Sequence, residues 1–215
     1  MPARTGGIDG STLVYSRGTS IRFYDLARRR MRPLPPIRTG LLESSPTLSG
    51  RWLLYTRMQA RGRYRVTLRS LRTRNERTVA VIGGHATAAG SGQVAGRYAA
   101  WWLCVEVACD VYRYNVTTRR NEQLSRGSAT KPSYAPSVTP DGTVYFARGG
   151  QGCGESVELV RAPRGATPRV VYSLPPGMDV QSTYAVRSGR TTRLYFDRID
   201  CRSDRSAAFV LTLLR

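Results

Sequence analysis

Few residues of this sequence can carry acid–base or metal chemistry. His85 is the single histidine, so a site with several histidine ligands is excluded, and one residue remains for a Ser-His-Asp or Cys-His arrangement. It lies in the Gly-Gly-His-Ala sequence at 83–86, between two apolar runs. This position predicts a loop histidine rather than a catalytic base.

Two groups of acidic residues are the other candidates. Asp197, Asp200 and Asp204 are close enough in sequence for a calcium loop, but their spacing matches no calcium-loop pattern. Arginines alternate with them, which predicts local ion pairing. Glu155 and Glu158 are of the type that forms a glycosidase pair, yet nothing in the sequence marks either as buried, and we assign them no role. The sequence therefore predicts no metal site, no cofactor and no enzyme.

Arginine dominates the charge of the chain. The formal net charge is +20, from 34 basic and 14 acidic residues, and Lys131 is the one lysine. Clustered guanidinium groups bind carboxylates and phosphates through paired hydrogen bonds, but near-complete exclusion of lysine is also what a GC-rich genome produces. The charge predicts attraction to polyanions at low salt without defining a site.

One set of arginines recurs at a single position. Two residues beyond the aromatic residue that ends an apolar run stand Arg17, Arg57, Arg148 and Arg198. If these runs are equivalent strands of a ring, the four side chains form a candidate anion-binding ring for a heparin-like polymer, a teichoic acid or a nucleic acid. The alternative is that repeated units inherited the same residue, whose stem covers the aromatic ring beside it.

The cysteines Cys104, Cys109, Cys153 and Cys201 fit two disulfides in an oxidising compartment, with three pairings open. We expect Cys104 to pair with Cys109, because the residues between them suit a hairpin loop. Cys153 and Cys201 occupy the same loop of adjacent units, so we expect them to pair and to join these units.

These cysteines favour an extracellular or cell-envelope location. No apolar run approaches the ~20 residues of a membrane helix. The opening residues contain no hydrophobic signal region. We therefore expect that a secretion signal has been removed or that the chain is part of a longer one.

A repeat explains the spacing of all these residues. Five dipeptides that end in glycine each precede a short apolar, aromatic-rich run: Asp9-Gly10, Ser49-Gly50, Ala95-Gly96, Asp141-Gly142 and Ser188-Gly189. The glycine spacings are 40, 46, 46 and 47. Runs rich in β-branched and aromatic residues predict strands, and the glycines supply turns. Each unit is interpreted as an inner strand A, a tight turn, strands B and C, and, in four units, a strand D.

Short antiparallel strands in five units predict an all-β fold, a single β-propeller of about five blades with three to four strands each. The units are 5–36, 43–82, 91–125, 133–174 and 180–215, within one domain at 1–215. A two-sheet sandwich is the competitor, but it gives no reason for the period. Because the fifth unit lacks a strand D, we expect a three-stranded last blade and contact between the first and fifth units. An arc of a larger ring is the alternative.

Two segments resemble the repeat of the TolB-like β-propellers, SPTLSGRWLLY at 45–55 and APSVTPDGTVYF at 135–146. The second keeps the Pro-Asp-Gly of that family. The segments at 23–26 and 112–118 resemble its strand C and exit turn, so the resemblance covers nearly the whole chain. It implies a binding platform of the cell envelope or a non-catalytic part of a larger protein, and it assigns no functional residue here.

We therefore expect a monomeric, non-catalytic scaffold for a protein or glycan partner. The alternatives are the Arg-rich polyanion-binding face and a hydrolase with acids in the central funnel. The inward side of strand A separates them, since a funnel enzyme needs carboxylates or metal ligands there. The residues expected at these positions are small or neutral: Ser45, Thr47, Gln93, Ser137 and Thr183.

Overall fold

The computed structural model describes residues 4–32, 37–38, 40–59, 62–83, 86–150 and 156–214. Within these ranges twenty-one strands form five separate antiparallel sheets. The sheets are arranged as a five-bladed β-propeller, which confirms the predicted fold class. The glycines of the five A–B turns, Gly10, Gly50, Gly96, Gly142 and Gly189, all have positive φ, between 54° and 87°. This conformation favours glycine, and it is why the repeat is visible in the sequence.

The blades follow chain order. Blade 1 contains β1 (Arg4–Asp9), β2 (Thr12–Arg17), β3 (Ser20–Asp25), β4 (Arg30–Met31) and β5 (Ile37–Arg38). Blade 2 contains β6 (Glu43–Ser49), β7 (Trp52–Met58), β8 (Tyr64–Ser70) and β9 (Glu76–Ile82). Blade 3 contains β10 (Ala86–Ala95), β11 (Tyr98–Val105), β12 (Ala108–Asn115) and β13 (Arg120–Gln123). Blade 4 contains β14 (Ser133–Val138), β15 (Val144–Arg148), β16 (Glu158–Ala162) and β17 (Arg169–Ser173). Blade 5 contains β18 (Met178–Asp179), β19 (Thr183–Ser188), β20 (Thr191–Asp200) and β21 (Arg205–Leu214).

The core lies between the blades, because successive side chains of a strand point to opposite faces of its sheet. Val14 of blade 1 packs in one cluster with Leu53 of blade 2, and Leu54, the next residue, packs with blade 3. Similar clusters lie between blades 3 and 4 and between blades 4 and 5. Each of these layers excludes water from the apolar residues of two neighbouring sheets, which stabilises their stacking.

In blades 1 to 4 the register of the innermost strand shifts near the propeller axis, and in blade 3 it shifts a second time between Ala86 and Ala88. The pairing with strand B shifts between Arg4 and Gly7, Ser44 and Thr47, Ser91 and Val94, and Tyr134 and Ser137. In blade 5, β18 and β19 pair with the same edge of β20 and are separated by residues 180–182. An extra residue in a strand leaves backbone groups unpaired, so these bulges provide carbonyl groups for contacts outside their own sheet.

Side chains of neighbouring blades occupy these carbonyl groups. The Thr47 hydroxyl donates to the Gly92 carbonyl oxygen at 3.0 Å, and the Ser91 hydroxyl donates to that of Ser45 at 2.6 Å. The Thr183 hydroxyl donates to the Ala135 carbonyl oxygen at 2.6 Å. The bulges therefore link blade 2 to blade 3 and blade 4 to blade 5 around the axis.

Gln93 joins three blades at the centre. Its Nε2 donates to the Ala185 carbonyl oxygen at 3.0 Å, and its Oε1 accepts from the N–H groups of Ala185 at 3.0 Å and Val138 at 3.3 Å. The side chain belongs to blade 3, whereas its partners belong to blades 5 and 4. Gln93 is 5% exposed, so these hydrogen bonds lie away from solvent.

Among the described residues the last blade has no strand outside β21, as predicted, but its sheet has four strands rather than three because the inner side is divided in two. β18 and β19 form its inner layer, β20 the middle and β21 the outer. Blades 5 and 1 are in contact, since the Tyr184 hydroxyl donates to the Ile8 carbonyl oxygen at 2.9 Å. The expected contact between the first and fifth units is confirmed.

Two short strands were not predicted. β5 follows a Pro-rich segment and pairs with β3 beside β4, and β18 precedes the break in the inner layer of blade 5. Each has only two residues, too few for alternating hydrophobicity to appear in sequence.

One predicted disulfide is present. Cys104 and Cys109 are bonded, with Cα atoms 3.9 Å apart, and they face each other across the β11–β12 hairpin. Cys153 lies outside the described residues, so its pairing with Cys201 stays a prediction.

The disulfide pattern has a direct test. Peptide mapping of the non-reduced protein is expected to recover Cys104 linked to Cys109 and Cys153 linked to Cys201, because cysteines of one loop position in adjacent blades suit a bridge. A peptide that joins Cys201 to Cys104 or Cys109 would show that the second pairing is wrong.

The variant Gln93→Leu tests how much the hydrogen bonds of Gln93 at the centre of the propeller contribute to stability. The variant keeps the side-chain size but leaves the Ala185 N–H and carbonyl groups and the Val138 N–H group without this partner. Since an unsatisfied buried polar group costs about 1–3 kcal/mol, we expect the free energy of unfolding to fall by about 3 kcal/mol in urea denaturation. The control is Gln123→Leu, at an exposed residue that donates to Asp110. A loss equal to that of the control would contradict a stabilising role for Gln93.

Candidate functional site

A cavity of about 630 Å³ lies among the inner strands of the blades. Four of the five residues expected on the inward side of strand A line it, namely Ser45, Thr47, Gln93 and Thr183. Ser137 is fully buried, and its hydroxyl lies 2.9 Å from that of Thr183. A volume of this size is within the range of sites for small molecules and short chain segments.

The charged side chains that line this cavity within the described residues are two acids, Asp179 and Asp197. The Asp179 carboxylate accepts from the Tyr134 hydroxyl at 2.6 Å and from the Val180 N–H at 2.6 Å. Asp197 accepts from the N–H groups of Gln181 at 2.9 Å and Ser182 at 2.6 Å. Both carboxylates therefore hold the break between β18 and β19 in place, and the cavity of a strongly basic protein is acidic.

Three aromatic side chains complete the wall, those of Trp102, Tyr134 and Tyr184. Burial, together with the hydrogen bond to Asp179, raises the pKa of the Tyr134 phenol well above its ordinary value. Burial and the nearby charge of Asp9 raise the pKa of Tyr184. Both phenols are therefore neutral hydrogen-bonding groups over the whole physiological pH range.

The four arginines of the candidate ring all lie near the end of strand B in their blades, as the repeat predicted. Arg148 forms an ion pair with Glu158 at 2.9 Å, and the guanidinium carbon of Arg198 lies 4.1 Å from the centre of the Phe209 ring. Arg17 is exposed. Among the described residues no hydrogen bond joins one of the four to another, and the partners of Arg57, Arg148 and Arg198 lie within their own blades.

Arg57 is the most buried of the four, with 7% exposure. It forms ion pairs with Glu43 at 3.0 Å and Glu76 at 3.1 Å, and its Nη2 also donates to the Tyr55 hydroxyl at 2.8 Å. Tyr55 in turn donates to Glu76 at 2.7 Å. This guanidinium group therefore stabilises blade 2, and its hydrogen-bonding capacity is largely used inside the protein.

The acidic residues near the C-terminus differ from expectation. Asp197 accepts from the backbone as described, and Asp200 accepts from the N–H groups of Arg202 and Ser203, which hold the pKa of this carboxyl below its ordinary value. In the described ranges neither acid forms an ion pair within 4 Å, so the expected pairing is not observed at Asp197, while at Asp200 the charge of Arg202 adds to the effect of the N–H groups. The reason is that tight turns place N–H groups closer to the carboxylates than the long arginine side chains.

Several sequence candidates lie elsewhere. His85 and Glu155 are outside the described residues, and Glu158 is the partner of Arg148. The part of the chain that the structure describes contains no group of three or more His, Cys, Asp and Glu residues that could hold a metal ion. It also contains no helix long and apolar enough to cross a membrane.

Sequence reasoning missed the cavity acids and aromatics. Asp179 lies in a strand of only two residues. Asp197 and Trp102 lie in strands B, and the alternation of apolar and polar residues in these strands does not show which side chains face the cavity. The signal that existed was Gly90, where a Cβ atom would lie 2.3 Å from Trp102 Nε1. A glycine inside a predicted strand points to such a close approach.

The architecture is that of a five-bladed β-propeller with a central polar cavity, and several solved structures have a similar fold. No protein-family model matches the chain, and neither does any curated protein. The crystal structure of TolB from Acinetobacter baumannii is similar, with a TM-score of 0.60 and 14% identity, over 98% of this chain and 54% of that one. The structure of a putative TolB from Agrobacterium tumefaciens has a TM-score of 0.64 and 12% identity, over 97% of this chain and 80% of that one.

An enzyme shares the fold as well. An oligogalacturonate lyase in complex with manganese has a TM-score of 0.54 and 11% identity, over 92% of this chain and 61% of that one. The chain thus spans about half of the first TolB and less than two thirds of the lyase. The chain has a TolB-like β-propeller fold, which confirms the resemblance seen in the sequence. At these identities the comparisons establish the fold, which binding proteins and enzymes share.

The Arg57 network predicts a pH dependence. Burial raises the pKa of Glu76, but hydrogen bonds from Arg57 and Tyr55 and the Arg57 charge outweigh it, so the pKa lies below the ordinary 4.5. A carboxyl whose pKa is lowered by folding contributes stability above its unfolded pKa and loses it as the pH falls through the folded value. We therefore expect Glu76→Gln to flatten the loss of thermal stability below about pH 4.5. The exposed control Glu106→Gln should follow the wild type; identical profiles for all three proteins would contradict this.

Proposed function

We propose that the protein is a non-catalytic binding module whose central cavity takes an extended, uncharged or basic segment of a protein partner. The observation that carries this is the contrast in charge. The chain has a net charge of +20, yet the charged side chains that line the cavity among the described residues are Asp179 and Asp197. Electrostatic complementarity disfavours an anion there and favours a neutral or cationic group.

The neutral lining supports a polypeptide as the ligand. An extended segment presents alternating N–H and carbonyl groups, and hydroxyl and amide side chains both donate and accept hydrogen bonds. Thr47 and Thr183 supply hydroxyls, Gln181 an amide, and Trp102 an apolar ring. These groups fix a chain in place without requiring a particular charge pattern.

The cavity acids support a binding role rather than catalysis. Asp197 accepts three hydrogen bonds from residues 181 and 182, including the Ser182 hydroxyl at 3.1 Å. Asp179 is held by Tyr134 and by its neighbour Val180. Carboxylates bound in this way are fixed acceptors that shape the wall, whereas a general acid or base must exchange its proton with the substrate.

A neutral glycan is the second candidate. Trp102 is partly exposed in the cavity wall beside Tyr134 and Tyr184. Aromatic rings with adjacent hydroxyl groups present an apolar face and a polar edge together, which matches the apolar face and hydroxyl rim of a sugar ring. Either ligand is consistent with a location outside the cytoplasm, which the Cys104–Cys109 disulfide favours.

Filling the cavity tests the proposal. Gln181 is exposed and lines the cavity, so Gln181→Trp places an indole ring in the space, while Gln181→Ala leaves it open. A pull-down from the native cell envelope with the wild-type domain identifies the partner. Titration calorimetry is then expected to show binding at least about tenfold weaker for Gln181→Trp and within about threefold of the wild type for Gln181→Ala.

The same titrations contain the contrary outcomes. Equal affinity for both variants would place the ligand outside the cavity and end the proposal. Loss of all binding by ~0.2 M salt, with no preference among polyanions, would reduce the interaction to general electrostatics and favour the arginine surface. Capture of a neutral oligosaccharide instead of a protein would establish the glycan.

A further inference from the structure

Two arginines occupy matching places in blades 3 and 4 but have different surroundings. Arg113 lies in β12 opposite Ala100, and Arg161 lies in β16 opposite Tyr145. Ala100 packs in the core between blades 3 and 4, and Tyr145 packs in the core between blades 4 and 5. Since residues directly opposite in a sheet share a face, both arginines face the following blade from strand C.

All three nitrogen atoms of the Arg113 guanidinium group donate hydrogen bonds. Its Nη2 donates to the two carboxylate oxygens of Glu122 at 2.8 and 2.7 Å, and its Nε donates to the same group at 3.2 Å. Its Nη1 donates to the Gly142 carbonyl oxygen, in the A–B turn of the next blade, at 2.6 Å. Glu122 stands directly across from it on strand D. A carboxylate from the outer strand thus neutralises this buried guanidinium group.

Blade 4 lacks this carboxylate. The residue across from Arg161 on strand D is Arg169. Among the described residues Arg161 has no hydrogen bond or ion pair, and its Nε is buried without a partner. A buried polar group without a partner and a like charge directly opposite are both unfavourable. The partly exposed Arg161 therefore lacks the carboxylate partner that Arg113 has in the same place of blade 3.

A cavity lies at this position. It has a volume of about 360 Å³ and is lined by Asp141, Thr143, Arg161, Pro163 and Arg164. The Asp141 carboxylate does not serve as this partner, because it is paired with Arg187 and accepts from the Thr139 hydroxyl at 2.6 Å. Two guanidinium groups thus border the open space beside an acid whose charge is balanced by blade 5.

We propose that this cavity binds a carboxylate-bearing ligand, whose carboxylate occupies at Arg161 the place that Glu122 occupies at Arg113. The planar fork of arginine matches a carboxylate through two parallel hydrogen bonds, and Arg164 adds a second cation. A singly charged carboxylate, rather than a phosphate dianion, corresponds to the group that Glu122 supplies to Arg113.

The site is separate from the central cavity. No residue that lines the 360 Å³ space is among those that line the 630 Å³ space. It also differs from the predicted ring of Arg17, Arg57, Arg148 and Arg198, which lies near the strand B ends. Failure of the proposed function would therefore leave this proposal untouched, and the reverse holds as well.

Titrations observed by NMR test the site. Two probe ligands are compared. Butyrate represents a small free carboxylic acid, and the tripeptide Ala-Glu-Ala, acetylated and amidated at its ends, represents an acidic side chain of a polypeptide. Shifts of the Arg161 Nε–H resonance report contact, and the tighter of the two ligands identifies the source of the carboxylate. We expect Arg161→Gln to weaken binding of the tighter ligand by about tenfold or more, because it removes the charged fork.

Arg169→Glu provides the sharper variant. It restores in blade 4 the arrangement of Arg113 with Glu122, so the new carboxylate should occupy Arg161, abolish ligand binding and raise the melting temperature. Arg30→Glu, at an exposed residue of blade 1, makes the same charge change elsewhere and should do neither. Equal binding by the wild type and Arg161→Gln, an equal loss in Arg169→Glu and Arg30→Glu, or tighter binding of inorganic phosphate than of either carboxylate would each overturn the proposal.

Discussion

The side-chain amide of Gln93 is the contact on which the centre of this propeller depends. The inner strands of blades 1 to 4 each carry a bulge, and that of blade 5 is interrupted between β18 and β19. A bulge leaves backbone groups without partners in their own sheet. Threonine and serine hydroxyls bind the carbonyl groups of bulge residues between adjacent blades. Gln93, from its position in blade 3, binds backbone groups of the inner strands of blades 4 and 5. The polar wall of the central cavity is a consequence of this requirement.

The close approach of backbone segments near the propeller axis also explains why glycine occupies positions 6 and 92. A Cβ atom on Gly92 would lie 2.1 Å from the Pro136 carbonyl oxygen, and one on Gly6 would overlap that of Val14. Inner strands β10 and β14 therefore come together only because glycine stands at this point. Pro46 and Pro136 are tolerated within inner strands because each lies at a register shift, where a missing N–H breaks no ladder hydrogen bond.

With 34 basic residues and 14 acidic ones, ion pairs within the chain can neutralise only a minority of the arginines. Buried arginines such as Arg57 and Arg113 have carboxylate partners, as burial requires. Others lie over aromatic rings, as Arg51 does on Trp52 and Arg198 on Phe209. Arg161 belongs to neither group, and it borders an open space opposite a second arginine, Arg169. The charged residues among those described that line the central cavity are the acids Asp179 and Asp197.

The sequence by itself determined the five-unit repeat, the propeller, the last blade without a strand D and the Cys104–Cys109 bridge. Each of these depends on local features, a turn glycine with positive φ or a hairpin of fixed length, and local conformation is encoded by neighbouring residues. It also placed neutral residues on the inward side of strand A. Tertiary structure alone decided that Asp179 and Asp197 enter the cavity, that Arg57 is neutralised and that Arg161 is not. These outcomes depend on cross-strand register and on contacts between blades tens of residues apart, and a shift of one residue in register exchanges the two faces of a strand.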